Sequence, residues 1–249
     1  MDYRIAIPSY RRAKAFSEKT LKYLKRTDID LSRVDLFLSD PSEKKHYEKV
    51  TPKEVSILDG AEGIGAQRNF IVSHYPEGSR IVGMDDDIDE MTQKVDDKTL
   101  ATVFNLDEHI RFYFEKTEQL GLFMWGIYPV NNPLFMQKKI TTELKYILAG
   151  FYGWKNRHSD VALVCVDDKE DFERSMKYYL NDGGVVRFNA MSFKTVFYGT
   201  AGGMQETRTD EKIKRASIKM KEMYPDLCEV FVSKRGKYEL RLKDKRGLK

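Results

Sequence analysis

Three consecutive carboxylates, Asp85, Asp86 and Asp87, have the type and spacing of residues that bind a metal ion. They follow the apolar run 81–84, which is typical of a buried strand in a parallel sheet. Such strands end at the crevice where α/β sheets bind ligands. Because neighbouring acids repel one another, a divalent cation shared with a phosphate would stabilise them. The stretch therefore predicts a metal–phosphate site, and a solvated acidic turn is the alternative.

Three further loops are expected at the same edge of the sheet and carry groups suited to a nucleotide. The loop after the first strand offers a backbone bend and a cation through Pro8, Ser9, Tyr10 and Arg11. Asp40 ends the second strand, where its carboxylate can accept a hydrogen bond from a base or ribose. Gly63 and Gly65 open a helix that carries Arg68 one turn later, and helix N-termini favour anions. Together these loops predict a pocket for a nucleotide diphosphate, although Arg68 alone would equally suit a surface ion pair.

Strand patterns alternate with helix patterns over the first 91 residues. The strand patterns cover 3–8, 33–39, 55–58 and 81–84. Helix starts are expected near Ser17, Asp40 and Gly63, with Ser17 and Asp40 as caps. This alternation predicts an α/β fold with a mostly parallel, Rossmann-like central sheet.

After Met91 the pattern changes. Extended aromatic runs cover 122–130 and 148–154, and helix patterns cover 107–120, 168–180 and 210–223. These runs predict a mixed, more antiparallel second half. We expect a single domain, 1–232, with a nucleotide-binding half at 1–91, an acceptor half at 92–232 and a basic tail at 233–249.

Composition limits the class of protein. With 249 residues, 41% of them hydrophobic, the chain can bury a substantial core, and its net charge of +4 carries no conclusion about nucleic acid. The sequence begins directly with a strand pattern and has no apolar run of membrane-spanning length, so we expect a cytoplasmic protein with no membrane partner. Cys165 and Cys228 lie in apolar runs and are expected to be buried and reduced.

The motifs described above resemble those of the GT-A glycosyltransferases. These motifs are a strand followed by PSYR, the helix start GIGAQRN and a strand that ends in DDD. In more detail, the chain resembles the TET/JBP-associated glycosyltransferases, a phage-rich branch that glycosylates hydroxymethylated pyrimidines in DNA. This second resemblance covers about residues 3–225 and includes the segment 169–174, Tyr178, Tyr179, Gly183, Gly184, Arg187, Gly202 and Gly203.

The resemblance implies a GT-A domain that transfers a hexose from a UDP-sugar with the help of Mn²⁺ or Mg²⁺. Asp85 and Asp87 match the metal-binding positions of the D-x-D motif, with Asp86 toward the sugar or ribose. The segment 169–171 matches the x-E-D motif, which makes Asp171 the expected catalytic base with Glu170 beside it. Acids in a first helical turn also favour the helix dipole, so a purely structural role is the alternative.

One departure from the GT-A pattern concerns the third metal ligand. Many of these enzymes supply a histidine near the C-terminus. The four histidines here are His46, His74, His109 and His158, all of them before Gly202. The identity of a third ligand is therefore open. Gln205, Arg208 and Lys212 follow the second glycine pair and could assist phosphate binding.

The implied acceptor is DNA that carries 5-hydroxymethylcytosine or 5-hydroxymethyluracil, in the host cytoplasm if the chain is phage-encoded. Cations of the basic tail suit phosphate binding. The candidate acceptor residues are Tyr128, Asn131, Trp154, Arg187, Arg208, Lys234 and Arg235. Three alternatives are a transferase for polysaccharide or protein, a nucleotidyltransferase, and a DNA-binding module without activity.

Overall fold

The computed structural model describes residues 2–195 and 209–243. The first half contains β1 (Arg4–Ser9), α1 (Ala13–Glu18), α2 (Thr20–Leu24), β2 (Val34–Leu38), α3 (Lys44–Glu48), β3 (Ser56–Asp59), α4 (Ile64–His74), β4 (Arg80–Met84), β5 (Glu90–Lys94) and β6 (Leu100–Thr102). The second half contains α5 (Leu106–Gln119), β7 (Met124–Ile127), β8 (Ile140–Thr141), β9 (Phe151–Lys155), α6 (Glu170–Asp182), β10 (Val186–Phe188), β11 (Met191–Lys194), α7 (Asp210–Met223), β12 (Cys228–Val232) and β13 (Tyr238–Leu242).

The central sheet has eight strands in the order β3-β2-β1-β4-β9-β7-β10-β8. Strands β3, β2, β1 and β4 are parallel, as the alternation of strands and helices predicted. Strand β9 is antiparallel to both of its neighbours, β4 and β7, and β8 is antiparallel to β10. The predicted α/β fold with a mostly parallel first half and a mixed second half is confirmed.

The sheet is buried on both faces because alternate side chains of its strands enter different hydrophobic clusters. On β1, Ile5 and Ile7 belong to one cluster, which also contains Leu36 and residues of α5. Ala6, between them, belongs to the other cluster with Phe37. Side chains alternate between the two faces of a strand, so this division shows that each face carries its own core.

A smaller unit completes the fold. Strands β12 and β13 form an antiparallel hairpin that packs with α7. A third hydrophobic cluster joins Met220 of α7 and Leu240 of β13 to Met176 of α6. The sequence suggested a separate basic tail at 233–249. In the structure this segment begins in the turn of a paired hairpin, and its Leu240 is buried.

Some local predictions were wrong. Ser17 lies inside α1, which begins at Ala13, because the chain becomes helical directly after the first loop. Cys165 is exposed, and only Cys228 of the two free thiols is buried. The segment that holds Cys165 is an irregular connection and not a sheet strand, so it has no face turned fully toward the core. Across the described ranges, none of the helices is long and apolar enough to cross a membrane.

Candidate active site

A cavity of about 690 Å³ opens at the carboxyl ends of β1, β2 and β4. The loop before α6 and one side of α7 close it from the opposite direction. Ten of the residues predicted from the sequence line it: Pro8, Ser9, Tyr10, Gly63, Arg68, Asp85, Asp86, Asp87, Glu170 and Asp171. The topology brings the D-x-D acids and the x-E-D acids, which are more than 80 positions apart in the sequence, into one cavity.

Asp86 is the most enclosed of the three D-x-D acids. Its side chain accepts hydrogen bonds from Ser9 Oγ and, at 3.2 Å, from Arg12 Nη1. Burial raises the pKa of Asp86 to about 7, and the positive charge of Arg12 opposes this shift. Desolvation raises the pKa of Asp85 to about 6; the charge of Arg68 opposes the shift, and that of Asp87 adds to it. Arg12 and Arg68 are therefore the cations that directly contact Asp86 and Asp85.

Arg12, and not the predicted Arg11, reaches these acids. Its Nη1 lies 3.2 Å from Asp86 Oδ1 and 3.1 Å from Asp87 Oδ2. Arg11 has a left-handed backbone conformation, φ 53°, and its side chain points away to pair with Asp40 at 3.1 Å. Two adjacent arginines were the signal in the sequence, but the turn of the backbone decides which of them faces the site.

Substituting these two arginines should have different effects on stability. Arg12→Ala leaves the buried Asp86 without its cation and should lower the free energy of unfolding by about 3 kcal/mol at pH 8. Because the pKa of Asp86 is already about 7, its carboxyl group is protonated at pH 5, and the loss should be smaller there. Arg11→Ala should change stability little at either pH, since its ion pair is exposed. Urea unfolding in EDTA measures both variants, and equal losses would contradict this assignment.

Arg68 is a buried link between the two acidic motifs. The residue is 4% exposed, which sets aside the surface ion pair considered from the sequence. Its Nη2 donates to Asp85 Oδ1 at 3.1 Å and to the carbonyl of Ala149 at 3.2 Å. Its Nε lies 3.6 Å from Glu170 Oε1. Arg68 thereby fixes Asp85 relative to the start of α6.

The two glycines at the start of α4 serve different purposes. Gly63 has a φ of 89°, a conformation that favours glycine, and it lines the cavity. The amide of Gly65 donates to Asp167 Oδ1 at 3.1 Å, and a Cβ here would lie 3.0 Å from both that oxygen and the carbonyl of Val166. Gly65 therefore permits the close approach of the loop before α6, and its amide is engaged by a protein carboxylate. Asp167 is a cavity residue that the sequence prediction missed.

Asp40, predicted to bind base or ribose, has a structural role. It caps a short 3₁₀ turn, Pro41–Glu43, by accepting from the amide of Ser42 at 3.1 Å. The cap and the proline that follows it are as predicted. Asp40 and Arg11 lie outside the set of residues that line the cavity.

Asp171 is held firmly at the start of α6. Its Oδ1 accepts from the amide of Phe172 at 2.9 Å, and its Oδ2 accepts from the hydroxyl of Tyr146. The Tyr146 ring stacks on Phe172, with the ring centroids 4.2 Å apart. Lys169, just before α6, has a left-handed φ of 70°, an uncommon conformation for a non-glycine residue.

Glu170 is 6% exposed and holds the adjacent backbone in place. Its Oε2 accepts from the amide of Asp171 at 2.7 Å. Burial raises the pKa of Glu170, and the negative charge of Asp171 adds to that shift. Glu170 therefore connects Arg68 to Asp171, and of the two acids Asp171 is the better placed to meet an acceptor.

A row of cations on α7 forms the wall opposite the acids. Lys212, Arg215 and Lys219 line the cavity at intervals of three and four residues, which places them on one face of the helix. Arg215 pairs with Glu211 at 3.2 Å, and Lys219 Nζ donates to the carbonyl of Cys165 at 3.1 Å. Arg215 and Lys219 were missed because only the tertiary packing of α7 brings this helix to the cavity.

The predicted acceptor residues do not converge at the cavity. Asn131 accepts from Thr92 Oγ1 at 2.7 Å, and the guanidinium of Arg187 lies 5.2 Å from the centre of the Tyr128 ring. Trp154 is 4% exposed and stacks on Tyr152 in the core, so it is unavailable to a base and that prediction was wrong.

The remaining predicted acceptor residues lie near the C-terminus. Lys234 and Arg235 are exposed in the turn between β12 and β13. Arg208, together with Gln205, Gly202 and Gly203, lies outside the described residues.

A mostly parallel sheet carries three carboxylates at the end of a central strand, and these line one cavity together with the acids at the start of α6. With the comparisons that follow, this arrangement defines the class: this chain is a glycosyltransferase with a GT-A-like fold. The sequence model of the TET-Associated Glycosyltransferase family matches residues 3–128, and the chain belongs to this family. The family resemblance predicted from the sequence is confirmed, and membership sets aside the nucleotidyltransferase and the DNA-binding module without activity.

Solved structures of TarS from S. aureus share the fold. Residues 1–349 of TarS in complex with UDP-GlcNAc have a TM-score of 0.59 and 14% identity, covering 89% of this chain and 67% of the TarS chain. A second structure of TarS 1–349 has a TM-score of 0.51 and 15% identity, covering 89% of this chain and 66% of that one. This chain thus spans about two thirds of the solved TarS segment 1–349. No curated protein sequence matches it.

Proposed function

We propose that this glycosyltransferase moves a sugar from a UDP-sugar to the hydroxymethyl group of a modified pyrimidine in DNA, with the help of a divalent metal ion. The observation that carries the proposal is that Asp85, Asp87 and Asp171 line one cavity that α7 closes with cations. A donor with two phosphates needs positive charge along its diphosphate, and an acceptor hydroxyl needs a base.

The donor assignment has two supports. TarS, which shares the fold, was solved with UDP-GlcNAc. In this chain, Lys212, Arg215 and Lys219 face the D-x-D acids across the cavity, so negative phosphates between the two walls would meet cations on one side. The acids on the other side need a cation of their own.

The chemistry of the donor atoms fits Mn²⁺ or Mg²⁺. Asp85 and Asp87 supply carboxylate oxygens, which hard divalent cations prefer. Burial raises the pKa of Asp85 and the nearby charge of Asp87 adds to that shift, and a bound cation would favour the charged carboxylates. Within the described ranges, no three His, Cys, Asp or Glu side chains form a preformed metal cluster. Phosphate oxygens and water would therefore complete the coordination. Bound there, the metal would neutralise charge on the leaving diphosphate.

Asp171 would accept the proton of the acceptor hydroxyl as the new carbon–oxygen bond forms and the bond to UDP breaks. A carboxylate is a weak base toward an alcohol. The proton is therefore transferred as the hydroxyl oxygen shares an electron pair in the new carbon–oxygen bond and its proton becomes more acidic. The hydrogen bonds from Tyr146 and from the amide of Phe172 keep the carboxylate oriented. Arg68 and Glu170 fix its position relative to Asp85.

The DNA acceptor is supported by the family to which the chain belongs and by the exposed cations of the β12–β13 turn. Lysine and arginine side chains at such a surface bind the phosphate backbone without sequence preference and in a salt-dependent way. A polysaccharide or protein acceptor is the alternative, and it would need no such surface.

UDP release tests the proposal. Several UDP-sugars are offered with Mn²⁺ on DNA that contains 5-hydroxymethylcytosine or 5-hydroxymethyluracil, with unmodified DNA as the control. We expect release that requires the hydroxymethylated base. Release that does not depend on this base would keep the UDP-sugar donor and reject the DNA acceptor, and pyrophosphate in place of UDP would contradict sugar transfer.

A further inference from the structure

A second cavity, of about 650 Å³, lies beside the far ends of β5 and β11. Gln93, Lys94, Ala190 and Met191 line it, whereas Phe193 and Thr195 at the other end of β11 line the active-site cavity. Met191 and Phe193 are two positions apart on β11, so the linings of the two cavities approach to within about 7 Å at 3.3 Å per residue. A ligand that occupies the active site and extends along this sheet would reach the second cavity.

Aromatic rings form the apolar part of the second cavity. Tyr113 and Phe188 are buried and stacked, with their ring centroids 3.9 Å apart. Phe112 packs against Phe188 at 5.9 Å but is 48% exposed. The core therefore supports the Phe112 ring while leaving much of it open to a ligand.

Lysines surround these rings. Lys138 and Lys139 are exposed on the segment before β8, and Lys94 Nζ donates to the carbonyl of Met136 at 2.8 Å. The one acid among the lining residues of this cavity, Glu108, accepts from Asn105 Nδ2 at 2.7 Å. Lys94 Nζ also pairs with Asp97, so the positive charge beside the exposed aromatic ring comes from Lys138 and Lys139.

We propose that this aromatic–lysine cavity binds nucleotides of the DNA strand that flank the target base. Exposed aromatic rings stack on the bases of single-stranded nucleic acids, and adjacent lysines contact the phosphates. In this arrangement a base stacks on Phe112 while Lys138 and Lys139 contact the backbone. The proposal extends the proposed DNA acceptor, but its test requires neither a hydroxymethyl group nor sugar transfer.

The first measurement is the affinity of the full chain for an unmodified, fluorescently labelled 12-nucleotide single-stranded DNA, followed by anisotropy. Loss of one base–aromatic stack should weaken binding of Phe112→Ala by about five- to a hundredfold. Phe104→Ala is the matched control, since Phe104 is equally exposed at 48%, lies against Arg26 and lines neither cavity. Its affinity should equal that of the wild type.

The second measurement separates the role of the lysines from that of the ring. The double variant Lys138→Ala/Lys139→Ala should make the slope of log K against log salt shallower by about 1.4, which corresponds to two phosphate contacts on a single strand. Phe112→Ala should leave this slope unchanged. Lys22→Ala/Lys25→Ala is the control pair: Lys22 lies on α2, Lys25 directly follows it, and both are exposed.

Three results would overturn the proposal: wild-type protein that does not bind the oligonucleotide, Phe112→Ala that binds it as the wild type does, or a salt slope that the lysine variant does not change. In the last two cases, continued glycosylation of hydroxymethylated DNA would leave the proposed function standing. Conversely, the variants could lose affinity as expected while the wild type transfers no sugar to hydroxymethylated DNA. That result would support DNA binding at this cavity and reject the proposed acceptor.

Discussion

Asp87→Asn is expected to reduce sugar transfer by at least about 10²–10³-fold, and Asp85→Asn should do the same, while both variants keep the fold. Asparagine retains the size of aspartate but loses the charge that holds a divalent cation at the donor diphosphate. Transfer is measured as UDP release at saturating Mn²⁺. Asp89→Asn is the matched control, because Asp89 belongs to the same acidic stretch yet pairs with Lys19 at 3.6 Å and does not line the cavity.

A second readout separates metal binding from catalysis. Mn²⁺ should increase the affinity of the wild type and of Asp89→Asn for UDP, measured by calorimetry. The same addition should have little effect on the Asp85 and Asp87 variants. Full transfer by both of these variants, or full activity of the wild type in EDTA, would refute the metal assignment.

The predicted residues that do lie at the cavity are those whose position local sequence determines. The apolar run 81–84 is typical of a short buried strand, and a chain that leaves such a strand in a parallel sheet enters the crevice at its carboxyl end. The same reasoning placed Pro8, Ser9 and Tyr10 at the cavity and Gly63 at the start of α4. In each case the strand or helix that positions the residue is adjacent to it in the chain.

The residues that were missed depend on contacts between distant segments. Arg12 faces the acids because the backbone turns at Arg11, and no local pattern distinguishes the two arginines. Tyr146 meets Asp171 across 25 positions of the sequence, and Asp167 reaches Gly65 across 102. Such pairings depend on how the strands order in the sheet and on how α6 docks.

Burial explains why one aromatic residue was assigned wrongly. Trp154 lies in a run of aromatic residues that suits either a core strand or a stacking surface. Pairing of β9 between β4 and β7 places it in the middle of the sheet, where both faces are covered. By contrast, Phe112 projects from α5, and its exposure follows from the way that helix packs, which composition does not reveal.

Asp171→Asn is expected to lower kcat by about 10²–10⁴-fold while leaving the affinity for the UDP-sugar unchanged. The side-chain oxygen of asparagine can still accept from the amide of Phe172, and its NH2 group can donate to the hydroxyl oxygen of Tyr146. The start of α6 should therefore keep its structure, but asparagine cannot take a proton from the acceptor. Tyr146→Phe should cost much less, because it keeps the ring stacked on Phe172 and removes only one of the two hydrogen bonds that orient the carboxylate.

Steady-state kinetics with hydroxymethylated DNA and calorimetry with UDP together test this role. Glu170→Gln is the informative comparison, since Glu170 contacts Arg68 and the amide of Asp171 and is nearly buried. As a positioning residue it should affect donor affinity as well as kcat, whereas Asp171→Asn should affect kcat alone. If Asp171→Asn kept the wild-type kcat, the base would have to be another acid of the same loop, and Asp168, which also lines the cavity, would be the next residue to substitute.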